Sequence, residues 1–119
     1  MESFKCLFDG ISEPRVLVKH GEIMELECDC RLIPIGIYKG TNKDGAECWV
    51  STDIKTGLCL VKARTKKRCV EDTKSLLMYK GYKDYSNMQK HAKKEFEEIY
   101  KGEEWNREKQ VDGFKQSSV

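Results

Sequence analysis

The spacing of apolar residues changes character once, near Thr65, and this single change constrains the fold more than any other feature. Up to Arg64 apolar residues tend to recur at every second position, the period of a strand with one buried face; after Thr65 they recur at every third and fourth, the period of a helix. In the first half Phe4, Cys6 and Phe8 alternate, with Asp9-Gly10 closing the segment. Residues 15–19 and 22–32 flank His20-Gly21, a spacing that predicts a two-residue hairpin. Met24, Leu26, Cys28, Cys30 and Leu32 are expected on one face of the second of these strands, with Glu25, Glu27, Asp29 and Arg31 on the wet face.

Pro34 is expected to make residues 35–38 a bent continuation or a short edge piece. Residues 39–45 read as a loop, 47–52 as a strand, Lys55-Thr56-Gly57 as a turn and 58–64 as the last strand. Connections this short suit antiparallel neighbours. Thr65 is placed as the N-cap of a helix carrying Cys69, Val70, Thr73, Leu76 and Leu77 and ending near Gly81. Ser86 and Gln89 have capping-box spacing for a second helix, bearing Met88, Ala92, Phe96, Ile99 and Tyr100 and ending or bending at Gly102. The expected fold class is therefore α+β: a five- or six-stranded, mostly antiparallel sheet followed by two C-terminal helices packed on one face.

A chain of 119 residues is the size of one domain and buries roughly two-thirds of its unfolded surface. Residues 1–102 are expected to form that domain. The tail, 103–119, is polar apart from Trp105, Val111 and Phe114, which would dock on the domain or on a neighbouring subunit. At 39% hydrophobic and 35% charged residues, the chain is too apolar for disorder. No apolar run approaches the ~20 residues that span a bilayer, and Met1 to Gly10 lack the basic start and greasy stretch of a leader, so a cytoplasmic protein with no membrane partner is expected. A net charge of +2 argues against nucleic acid as the partner of the whole surface and leaves only local clusters to attract anions.

The cysteines, Cys6, Cys28, Cys30, Cys48, Cys59 and Cys69, lack the paired C-x2-C knuckles of structural zinc. Their place on apolar faces reads as core packing, with a metal or a disulfide as the lesser alternatives. His20 and His91 are the only imidazoles, Glu25 and Glu27 read as solvating charges, and no glycine-rich phosphate loop is present. No catalytic residue, metal or cofactor is expected, and the chain is read as a binder rather than an enzyme.

What points to a ligand is the run Lys62-Ala-Arg-Thr-Lys-Lys-Arg68, five cations in seven positions at the strand-to-helix junction. Backbone N–H groups and the helix dipole favour an anion there, whereas cations at a helix start are themselves unfavourable by ~0.3 to 1 kcal/mol each. The alternative is a solvated face, with Glu71 and Asp72 offsetting the charge. Nearby Tyr79, Tyr82 and Tyr85 offer flat rings for a base, and Asn87 both a donor and an acceptor; equally, the tyrosines would shield the core rim. The expected site is Arg64, Thr65 and Lys67 on phosphate, Tyr82 on a base, and Asn87 with Arg107 completing the pocket, in one chain or across a subunit boundary.

In size, strand-then-helix order and the stretch from Thr56-Gly57-Leu58 to Thr65-Lys66-Lys67, the chain resembles small phage counter-defence proteins, closest to the Thoeris anti-defence proteins that sequester cyclic ADP-ribose-type signals without cleaving them. The resemblance is one of layout over most of the chain, without a diagnostic motif. It implies a homo-oligomer holding a small nucleotide-derived messenger in pockets lined by arginine, aromatic and asparagine side chains. Two other functions stay open: an anti-CRISPR-type inhibitor meeting an acidic protein partner through the basic cluster, and a nucleic-acid-binding module.

Overall fold

The computed structural model describes residues 1–9 and 14–102. Five strands, β1 (Glu2–Asp9), β2 (Pro14–Cys28), β3 (Arg31–Thr41), β4 (Glu47–Asp53) and β5 (Cys59–Ala63), precede α1 (Lys66–Glu95) and the short α2 (Glu97–Gly102). The strands lie side by side in chain order and every pairing is antiparallel, so the α+β arrangement of an antiparallel sheet followed by helix holds. Among the described residues no helix is long and apolar enough to cross a membrane.

The chain does not turn back at His20-Gly21. β2 runs straight through, pairing its first half with β1 up to Gly21↔Glu2 and its second half with β3 from Glu22↔Ile37. Gly21 serves close approach rather than a turn: a Cβ there would collide with the Ile37 carbonyl. The actual reversal is Asp29-Cys30, whose φ angles of 51° and 64° make a two-residue turn with both central residues left-handed. That turn ends the alternation early, so Cys30 is exposed and Leu32 is 60% exposed instead of continuing the apolar face. Residues 35–38 likewise prove central, paired on β4 throughout and on β2 as far as Ile37.

The meander curls until β1 reaches the turn before β5, where the Leu7 N–H donates to the Gly57 carbonyl at 2.8 Å. One core fills the curl: Phe4, Cys6, Tyr38, Cys48, Val50 and Ile54. Gly36 admits Phe4, since a Cβ there would stand 2.7 Å from the ring. The other core lies between the outer face of the sheet and α1, with Ile33, Ile35 and Ile37 meeting Cys69, Leu77 and Tyr85. Alternation along β4 divides the two, Cys48 and Val50 facing inward and Trp49 packing under the helix.

α1 begins as expected, its Thr65 hydroxyl accepting from the Arg68 N–H at 3.1 Å. At Gly81 (φ 78°, ψ 162°) the helix kinks and resumes at once, so Ser86 lies within it and caps nothing. The Tyr82 N–H exposed by the kink is taken by the Asp29 carboxylate at 2.7 Å, an N-cap supplied by the β2–β3 turn. Trp105, Val111 and Phe114 lie outside the described residues.

Candidate functional site

The strand-to-helix junction forms no seat among the residues expected there. Arg64, Thr65 and Lys67 are exposed, and the Thr65 hydroxyl caps its own helix. Lys66 pairs with Glu22 and Arg68 with Asp72 at 3.1 Å. Tyr82 lies 17 residues beyond Thr65, roughly 25 Å along the helix at 1.5 Å per residue, so one chain does not join them in a pocket. One face of its ring is already covered by the Arg31 guanidinium, 4.2 Å from the centroid. Asn87 is exposed on the second limb of α1, and Arg107 lies outside the described residues. The three tyrosines diverge: Tyr79 is 89% exposed, Tyr82 half-buried and Tyr85 fully buried.

The concavity that does form follows from β2 leaving β3. Their pairing ends at Glu22↔Ile37, and from there β2 turns away with β1 while Tyr38 to Thr41 continue along β4. The divergence opens a cleft of about 590 Å³, within the ~300 to 1,000 Å³ typical of small-molecule sites. β1 contributes Leu7 and Phe8, β2 Lys19, β3 Tyr38 to Thr41, β4 Cys48 and Val50, and the last strand with its approach Leu58, Cys59 and Lys62. Lys62 faces inward because it pairs directly with Val50, whose side chain does.

Lys19, Lys39 and Lys62 thus line one concavity whose lining contains no carboxylate, with Lys39, cross-strand from Trp49, on the face opposite Tyr38 and Val50. Lys39 is partnered by Glu47 at 3.1 Å. The Lys19 ammonium lies 5.5 Å from the Phe8 ring centre and 5.4 Å from that of Tyr38. Among the described residues neither Lys19 nor Lys62 has an acidic partner. Burial pushes the Tyr38 phenol well above its ordinary range, so it stays protonated and neutral beside these cations.

Of the basic run read from sequence, only Lys62 belongs to this cleft. Lys19, Phe8 and Tyr38 carry no local signal, because they reach the site through separate pairings, Lys19 and Phe8 along β1–β2 and Tyr38 along β3–β4. The cysteines divide between the faces: Cys6, Cys48 and Cys59 lie around Tyr38 on the cleft side, Cys28 and Cys69 under the helix, and Cys30 on the exposed β2–β3 turn. No protein-family profile matches the sequence, and comparison with curated proteins and with solved structures finds no match.

Proposed function

We propose that the chain binds, without converting it, a small phosphorylated ligand of nucleotide type, and that the cleft beneath Lys19 and Lys62 holds its phosphate. The lining carries this reading: Lys19 and Lys62, neither with an acidic partner among the described residues, line a concavity that offers an anion no opposing carboxylate. Lysine meets phosphate as a point charge, through bonds about twice as strong as neutral ones. Phe8 and Tyr38 restrain the Lys19 ammonium, which lowers the entropy lost on binding.

The absence of carboxylate and imidazole from the lining, a Tyr38 phenol held neutral and a Cys59 thiol raised by burial support retention over turnover. Retention of a nucleotide-derived signal, the role implied by the resemblance to Thoeris anti-defence proteins, needs only this. Calorimetric titration with adenosine 5′-monophosphate tests the assignment. The Lys19→Ala, Lys62→Ala double variant is expected to bind about tenfold or more weaker, as loss of charge-assisted bonds implies, with its melting temperature unchanged. The Arg64→Ala, Lys67→Ala double variant is expected to bind as the parent does. The reverse pattern would move the site to the helix start.

A second reading, an inhibitor meeting an acidic protein partner, is favoured by Arg64 and Lys67, which are exposed and have no acidic partner among the described residues. Such a surface contact would weaken steeply with added salt, whereas a ligand enclosed in the cleft would be screened less.

A further inference from the structure

A second hollow, about 610 Å³, is lined by Met1, His20, Ile37 and Trp49 among others and shares Tyr38 and Lys39 with the cleft. The two therefore lie on either side of the same stretch of β3, at the edge that β2 abandons. The Ile54 N–H donates to the Pro34 carbonyl at 3.2 Å, and bonded pairs alternate along an antiparallel ladder. Continuing that register, Gly36, Tyr38 and Gly40 exchange bonds with β4, while Ile37, Lys39 and Thr41 direct their N–H and C=O groups to the opposite side. The Ile37 carbonyl is met there by Gly21 of β2. Past that point the ladder has no partner among the described residues, and the main chain of Lys39 fronts both hollows with a donor and an acceptor unclaimed by any described strand.

The hollows differ in charge. The cleft is lined by lysines and no acid, whereas in the second hollow Glu2 and Glu22 balance Lys66 and the shared Lys39. A phosphate is attracted to the first and finds no excess of positive charge in the second, where a neutral ring finds Trp49 and Ile37 to lie against.

We propose that the second hollow is the ring seat of the same ligand: a phosphorylated nucleoside straddles the bare edge of β3, its phosphate on Lys19 and Lys62, its base against Trp49, and the polar edge of the base on the main chain of Lys39. This rests on the phosphate reading of the cleft and extends it to the class of ligand, since a nucleobase presents adjacent donors and acceptors that match the main chain of a strand edge.

The sequence contains two tryptophans, so Trp105→Phe leaves Trp49 as the single indole. That variant is titrated with adenosine 5′-monophosphate and with ribose 5-phosphate, following heat and tryptophan emission together. Both are expected to bind, the nucleotide about tenfold tighter, the scale of one base stacked on an aromatic ring. Only the nucleotide should quench Trp49. In otherwise native protein, Trp49→Leu should bring the nucleotide down to the affinity of ribose 5-phosphate, whose retained binding shows that the variant is folded. Equal affinities with unmoved emission overturn the ring seat and leave the phosphate cleft standing. Failure of both ligands to bind overturns both.

Discussion

Asp53 is fully buried and receives donors from three residues: the Tyr85 hydroxyl at 2.8 Å, the Gln89 amide at 3.1 and 3.2 Å, and the Thr56 hydroxyl and N–H at 2.6 and 3.0 Å. A carboxylate removed from water is tolerated only with such a set of donors. The arrangement pins the second limb of α1 to the end of β4, and Tyr100 extends it by donating to the Thr56 carbonyl at 2.7 Å. Asp53→Asn turns an amide N–H2 toward groups that donate, which should lower unfolding free energy by about 1 to 3 kcal/mol. Urea denaturation measures it, and an unchanged midpoint would show that these contacts do not hold the helix. Nothing near Asp53 in sequence signals this role, because its partners Tyr85 and Gln89 are more than thirty positions away.

At the scale of elements, two glycines stand where local signals predict breaks, and they act for different reasons. Gly81 ends helical geometry as its sequence position suggests, but Asp29 caps the following N–H from a distant turn, so the helix restarts at Tyr82, four residues before Ser86. Its φ and ψ lie in a region essentially restricted to glycine, and Gly81→Ala should therefore cost about 1 to 3 kcal/mol. Thermal unfolding followed by far-ultraviolet circular dichroism checks this; a melting temperature equal to the parent's would contradict the kink. Gly21 looks like a hairpin residue because it follows His20 between two strand-like runs, yet it lies inside one continuous strand. No nearby residue reports the Ile37 carbonyl that demands its lack of a side chain.

Over the whole molecule, the order of strands then helix was legible because short connections leave antiparallel neighbours as the simple solution. The cleft was not, since its walls come from segments as far apart as Leu7 and Lys62 and exist only because β2 serves two partners. Both cores also carry ionisable groups that folding keeps neutral. Burial pushes the Cys6 thiol from 9.0 up to about 11 and the Tyr100 phenol from 10.0 up to about 12. Burial, reinforced by the neighbouring Asp53 carboxylate, raises Tyr85 further. The unfolded chain releases these protons first, so above pH 9 it binds fewer protons than the folded chain and stability falls as pH rises. Urea midpoints should be flat from pH 7 to about 8.5 and decline progressively from about 9 to 12; a flat profile across that window would contradict burial of these groups.

The cleft is the centre of this account, and amide chemical-shift mapping during titration with adenosine 5′-monophosphate addresses it most directly. The shifts are expected at Phe8, Lys19, Tyr38 to Thr41 and Lys62, with the amides of Arg64, Thr65, Lys67 and Arg68 unmoved. Shifts confined to the start of α1, with the strands around the cleft silent, would contradict it.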